Sequence, residues 1–408
     1  MQQESSINIS PGAGALAPLP YHEAVVGYLK EREPEVWAWA RSARSREEHA
    51  QAVREELLKQ AYRLDAATYP DLHQAATAAA ARLGLEVPIT LYQGSDGQIN
   101  ACLYFLVGEA HVVFSGPLLD RLTGPEVEAV LGHELAHYKL WSEDGGIYHA
   151  ADRVLEATAA HPGATPAQLQ TNRLFRLFTE AYADRGAVVA SGSVEAAVAA
   201  LVKSATGLST VSGASYLAQA AEVVARESGA SSQASHPESF LRAHALGLWA
   251  SGAAQAESWL DTALRGPLSL DQADWIAQLQ LESLTRRALA EMLRPAWMRS
   301  DATLAHARRF FPDFGADGKV DESLAQDLAA ATGCADYLSA LLIDIATSDR
   351  AMEDVALAWV LELGDAWKVG DPLQARMLKD LKMPKRQISK LRQGARALLE
   401  KTEKNHVG

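Results

Sequence analysis

Cysteine is scarce in this chain of 408 residues: only Cys102 and Cys334 occur, far apart in sequence. A disulfide framework is therefore excluded as the organising device. Aromatic residues are also few, at 7%, whereas alanine is abundant, and that balance points to a helix-rich chain. No uninterrupted apolar run approaches the roughly 18 to 20 residues that a membrane-crossing helix requires. The first twenty residues lack the basic-then-apolar order of a secretory leader. A cytoplasmic protein with no integral membrane segment is expected. Positive charge is in the minority as well, since 38 Lys and Arg face 51 Asp and Glu for a net charge of -13. That argues against nucleic acid as a partner, because phosphate recognition rests on clustered basic residues. The one basic run, residues 379–396, reads as the solvated face of a terminal helix.

What is present is an ordinary globular composition, 48% hydrophobic and 22% charged, in a chain long enough for two or three compact units. Residues 1–20 are rich in Ser, Gly and Pro and are expected to be a loose tail; 21–64 and 71–83 have helical periodicity, the second stretch ended by Gly84. The period then shortens, and 87–92, 101–107 and 111–115 read as strands of a small sheet, with Ser95-Asp96-Gly97 as a turn. Helix resumes at 118–122, and Thr123-Gly124-Pro125-Glu126 is a capping box opening the next one. Helices over 147–159 and 168–190 follow, and the chain beyond Pro237 is mostly helical. With Trp259, Trp275 and Trp297 the composition shifts near residue 250. The organisation expected is an extension over 1–68, a central domain over 69–250 and a C-terminal all-α domain over 251–408, in a predominantly helical α+β fold.

The chemistry is concentrated in the capped helix. His133-Glu134-Leu135-Ala136-His137 sets two imidazoles four residues apart, on one helical face, where they can share a tetrahedral metal. Glu134 is then placed to reach a metal-bound water without being a ligand. A catalytic zinc takes a third protein ligand, and Glu180 on the 168–190 helix supplies it, with Asp184 one turn further on to accept a hydrogen bond from a ligating histidine. His149 and His161 compete for the third position, but the first follows a Gly-Gly break and the second sits in a Pro/Gly loop. Downstream, Ser235-His236-Pro237 and Arg242 lie on a loop running into a helix, which makes His236 a candidate donor to the oxyanion of a tetrahedral intermediate.

Over residues 70–250 the sequence resembles the gluzincin metallopeptidases of the HtpX and CAAX prenyl-protease type. Asn100-Ala101 is similar to the pair before the family's edge strand, and Val112 to Leu119 to its strand leading into a helix. Glu126 to His137 resembles its active-site helix, Glu180 with Asp184-Arg185 its Glu-x-x-x-Asp-Arg element, and His236-Pro237 with Arg242 its downstream residues. The resemblance implies a domain with a small sheet and an active-site helix pair. It also implies one Zn2+ per chain held by His133, His137 and Glu180, Glu134 as the catalytic base, Asp184 in support, His236 as transition-state stabiliser and Arg242 orienting the site. Where well-known members carry membrane segments, this chain has a helix and loop between His137 and Glu180 that read as soluble. Residues 317–397 faintly resemble the TerB-like helical domain, through Asp317 to Glu322 and Asp344 to Glu353.

The function expected is a zinc-dependent endopeptidase acting on peptides or unfolded proteins, the substrate lying along the edge of the small sheet near residues 101–106. The alternative is a catalytically quiet or latent zinc-containing module that binds a protein partner through its C-terminal helices. Glu134 favours the enzyme, because a purely structural zinc site has no use for a free base.

Overall fold

The computed structural model describes residues 16–41, 44–226, 229–315 and 319–407. The first fifteen positions of the expected tail lie outside the described residues, as do Asp317 and Gly318 of the acidic motif. The chain divides into two compact units, Met1–Gly266 and Pro267–Gly408.

The first unit opens with helices α1 (Pro20–Arg32), α2 (Pro34–Ala40) and α3 (Arg44–Gln60), then a short strand β1 (Ala61–Arg63) and helix α4 (Pro70–Leu83). Strands β2 (Ile89–Gly94), β3 (Asn100–Leu106) and β4 (Glu109–Ser115) complete a sheet in the order β1-β2-β4-β3. Strand β4 is parallel to β2 and antiparallel to β3, so β3 is an edge strand paired on one side only. Seven helices follow: α5 (Gly124–Ser142), α6 (Ile147–Ala159), α7 (Pro166–Ser191), α8 (Val194–Thr206), α9 (Gly213–Arg226), α10 (Ser239–Ala250) and α11 (Ala256–Arg265).

Two local expectations are corrected. Helical periodicity carried the third helix through Leu64, yet Ala61–Arg63 pairs antiparallel with β2, and the Leu64 amide donates to the Leu91 carbonyl. Sheet pairing outweighs local propensity there. Residues 118–122 form turns and not a helix: five residues closed by the Thr123-Gly124-Pro125 start of α5 are too few to propagate one. The helix expected over 168–190 is α7, two residues longer at its start and one at its end. Thr165 accepts from the Gln168 amide, the Gln168 side chain accepts from the Thr165 amide, and Gly192 leaves the helix at φ 68°.

The second unit is helical throughout its described residues, with α12 (Trp275–Met292), α13 (Asp301–Phe310), α14 (Leu324–Ala330), α15 (Ala335–Ala346), α16 (Glu353–Ala366), α17 (Gly370–Lys379) and α18 (Lys385–Val407). Its core gathers Leu289, Leu342, Leu361, Trp367 and Met377. The fold class is thus mostly helical with one small mixed sheet. Among the described residues no single helix is long and apolar enough to cross a membrane. A pair bent by 84°, Leu324–Ala330 with Thr332–Ala346, meets that test only jointly, and its Leu328, Leu338, Leu341 and Leu342 belong to the buried core.

Candidate metal centre and catalytic cleft

The helix that bears the motif is fixed at its start. The Thr123 amide donates to Glu126 Oε2 at 2.7 Å, and the same oxygen takes an ion pair from Lys203 Nζ of α8 at 2.7 Å. Both side chains are buried, and Lys203 also donates to the Arg121 carbonyl at 3.1 Å. Alongside, α5 and α7 meet through small residues. A Cβ on Gly132 would overlap the Ala190 methyl and come within 2.7 Å of the Gly186 carbonyl oxygen. One on Gly186 would overlap the Ala136 methyl and lie 2.9 Å from the Gly132 carbonyl oxygen. The two backbones approach as closely as glycine allows, and this brings His133 and His137 of α5 to face Glu180 and Asp184 of α7.

His133 Nε2 and His137 Nε2 are 3.3 Å apart. Glu180 closes the triangle, its Oε2 3.5 Å from His133 Nε2 and its Oε1 3.6 Å from His137 Nε2. Ligands at ~2.0–2.1 Å around a tetrahedral zinc ion are separated by about 3.4 Å, which the two imidazole nitrogens match, while one Glu180 oxygen lies within 4.8 Å of both and completes the set. His133, His137 and Glu180 are also the group among the described residues whose ligand atoms converge closely enough to hold a metal. Glu180 Oε2 is buried, and its near polar neighbours, His133 Nε2 at 3.5 Å and Arg242 Nη2 at 3.4 Å, stand at or beyond the long end of hydrogen bonding.

Behind the triangle His133 Nδ1 donates to Asp184 Oδ1 at 3.2 Å, which turns the Nε2 lone pair toward the ligand position. Arg242 of α10 grips Asp184 with both arms of its guanidinium, Nε to Oδ2 at 2.8 Å and Nη2 to Oδ1 at 2.6 Å, and reaches Glu180 Oε2 at 3.4 Å. His236 stands at the mouth, 62% exposed, with Nε2 3.6 Å from Glu180 Oε1 and Nδ1 2.9 Å from Ser235 Oγ. His149 and His161 are not brought to the triangle. The His149 ring packs on Phe105 at 4.5 Å, and His161 Nδ1 accepts from the Gly163 amide in its own turn.

Burial and neighbouring charge set the protonation of these groups. Desolvation pushes Glu134 up to about 7, opposed by the His133 charge and by the Leu103 amide of β3, which lies against its carboxylate. For Glu180 burial acts upward too, but the hydrogen bond and charge of His133, with Arg242 and His137, hold it well below the usual carboxylate range. Asp184 is likewise kept low, burial being outweighed by Arg242 and His133. Burial depresses His137 to about 4, while for His133 the carboxylates of Asp184 and Glu180 overcome burial and lift it to about 10.

Some contributors were not visible as motifs. Thr179, the neighbour of Glu180, donates to the Phe175 carbonyl at 2.9 Å and meets His22 Nε2 of α1 at 3.2 Å, while His22 Nδ1 accepts from the Leu19 amide. His22 is completely buried, and desolvation first, then the charges of Arg185 and His137, lower it to about 3. Helix α8 contributes Ala197, Ala200 and Leu201 to one wall of a cavity of about 530 Å3 that contains the triangle and Glu134. The only available signal for the close α5–α7 contact was the spacing of small residues, Gly132 with Ala136 and Gly186 with Ala190.

A His-Glu-x-x-His helix faced by a third carboxylate, with the buried Glu134 of raised pKa beside it, is an arrangement that could hold a metal ion and carry metal-assisted hydrolysis. Residues 66–250 match the family described as Peptidase family M48, which supports a metallopeptidase over that stretch, a little under half of the chain. No curated protein and no solved structure matches the chain significantly.

Proposed function

We propose that the chain is a zinc-dependent endopeptidase of the HtpX and CAAX prenyl-protease type, holding one Zn2+ on His133, His137 and Glu180. The observation that carries this is the convergence, in one cavity, of a zinc-sized ligand triangle, the unliganded Glu134 and the free edge of a sheet. A bound zinc ion supplies Lewis acidity, making water acidic enough to ionise near neutral pH and polarising a carbonyl.

The protein's own groups do the rest. Glu134, with a pKa near 7, accepts the proton as the water oxygen bonds to the peptide carbonyl carbon, and delivers it to the departing amide nitrogen as the C–N bond breaks. The charge that develops on the carbonyl oxygen is met by a donor from His236, whose exposed ring at the cleft mouth can turn toward substrate. Asp184 holds His133 in one tautomer and orientation, and Arg242 holds Asp184 and Glu180. A substrate strand adds to the outer edge of β3, where the Leu103 amide already faces Glu134. A mid-chain segment can lie along this edge, which favours internal cleavage.

The test is metal content and cleavage of an unfolded protein by the full chain, beside Glu134→Gln. About one equivalent of zinc in both proteins is expected, with cleavage lost at least about 10³-fold in the variant. Cleavage that survives Glu134→Gln, or less than about half an equivalent of zinc in protein prepared without chelator, would refute the proposal.

A further inference from the structure

The cavity does not stop at the metal ligands. Past Trp141 it continues to a wall made by Asp152 and Glu156, one turn apart on α6, and Arg176 of α7, residues that no step above uses. Glu156 is already engaged, Arg176 Nη2 donating to its Oε1 at 3.0 Å. Asp152 is partly buried and has no hydrogen bond or ion pair of its own among the described residues. Its burial, with Glu156 adding to it and Arg176 opposing, raises it to about 6. A desolvated carboxylate in a cavity wall is relieved by a cation that arrives with a ligand.

The direction of β3 says which part of a peptide reaches that wall. The strand begins beside the end of α8, where Ile99 approaches Gly207, and finishes where Phe105 packs on Tyr138 at 5.2 Å and Trp141 at 5.8 Å. Trp141 in turn lies 5.8 Å from His149, three residues before Asp152 on α6. The alanine-rich wall of α8 is therefore at the start of β3 and the acidic wall at its end. A peptide adding to β3 in the more stable antiparallel sense runs from the acidic wall toward α8. Its residues before the scissile bond pass Asp152, and those after it pass Ala197, Ala200 and Leu201.

We infer that Asp152 is a specificity residue that receives the Lys or Arg side chain of a substrate on the N-terminal side of the scissile bond, so that the cleft selects polypeptides carrying a basic residue there. This rests on the peptidase reading. Its test uses the zinc-loaded full chain and a peptide set in which Lys, Arg, norleucine and Glu are placed in turn at each position around the cut, with products mapped by mass spectrometry.

A kcat/KM about tenfold higher for Lys or Arg than for norleucine is expected at one position before the cut. That ratio should fall toward one in Asp152→Asn and pass to Glu in Asp152→Lys. Binding of the Lys and norleucine peptides to Glu134→Gln, with and without Asp152→Asn, gives a second readout independent of turnover. If peptides are cut without a basic preference, or the preference survives Asp152→Asn, the inference is overturned and the peptidase reading stands. If the zinc-loaded chain cuts nothing, the peptidase reading fails, and the two Kd values decide the subsite: unequal and Asp152-dependent upholds it, equal overturns it.

Discussion

Replacing Gly186 with alanine should damage the metal centre through a methyl group that touches no ligand. At an unhindered interior helix position the exchange stabilises by ~0.5–1 kcal/mol, because alanine loses less conformational freedom on folding. Here the added Cβ overlaps the Ala136 methyl and lies 2.9 Å from the Gly132 carbonyl oxygen, and neither neighbour has a side-chain torsion that could move it away. Restoring carbon contacts of ~3.5–4.0 Å requires α5 and α7 to part by roughly 1 Å or more. The ligand triangle spans these same helices with edges of 3.3 to 3.6 Å, and zinc tolerates bond-length errors of only ~0.2 Å. Overpacking of this kind costs about 1–3 kcal/mol, and ligands displaced by such an opening lose about 10–100-fold in metal affinity. Competition of the full chain against a chromophoric chelator reads the affinity, and thermal unfolding reads the stability. Gly27→Ala is the internal control: Gly27 lies in α1, nothing stands within 4 Å of its added Cβ, and the substitution should be neutral or slightly stabilising. Wild-type zinc affinity and an unchanged or raised melting temperature in Gly186→Ala would refute the reasoning.

Two further predictions concern buried groups. His22 has a folded-state pKa lowered from 6.5 to about 3, so only the unfolded chain takes up its proton between those values, and the stability present above pH 6.5 is lost as pH falls. In chelator-treated protein, wild type should lose up to about 1.4 kcal/mol per pH unit more than His22→Gln between pH 6 and 5, and parallel denaturation series would contradict this. Lys203→Met strands Glu126 in the interior and should destabilise by about 3 kcal/mol, whereas Lys203→Met with Glu126→Gln should recover much of the loss; urea titration showing the double variant no better than the single would count against the buried pair.

How far the sequence could be read follows from the range of the interactions involved. The ligands were legible because His133, Glu134 and His137 occupy one helix face at fixed spacing, so no tertiary information is needed to relate them. The second helix was read over 168–190, within two residues of its observed bounds, although its cap at Thr165 and Gln168 and its end at Gly192 went unread. β1 was not legible, since three residues with no alternation become a strand only when β2 is beside them. Nor was the close contact of α5 with α7. Gly132 and Gly186 lie 54 positions apart, and the partner of each is settled by packing alone. Asp152 drew no notice in the sequence for the same reason, as the cavity it lines is assembled from β3 and the five helices α5, α6, α7, α8 and α10.

The site is also a place where the fold accepts a loss of stability, and Glu134 allows that loss to be measured. Glu134, Glu180 and Asp184 are three buried or nearly buried carboxylates, and the Arg242 guanidinium pairs with Glu180 and Asp184. Glu180 and Asp184 have hydrogen bonds and opposite charge enough to lie below their ordinary pKa, but Glu134 does not: burial raises it from 4.5 to about 7. A carboxyl group whose folded-state pKa is raised contributes stability below its unfolded pKa and loses it as pH rises through the folded value. Between pH 4.5 and 7 the penalty grows to about 3 kcal/mol as an upper bound, and it is fully present by pH 8. Glu134→Gln keeps the shape and an acceptor for the Leu103 amide while removing the charge. In chelator-treated protein at pH 8 it should therefore be more stable than wild type by about 1–3 kcal/mol, with the difference shrinking toward pH 5. The variant that abolishes cleavage would then be the more stable protein, the trade expected of a base held where folding alone would not place it. A Glu134→Gln chain that unfolds at the same denaturant concentration as wild type at pH 8 would show that Glu134 is not desolvated as described, and its role as a base poised near neutrality would lose its physical ground.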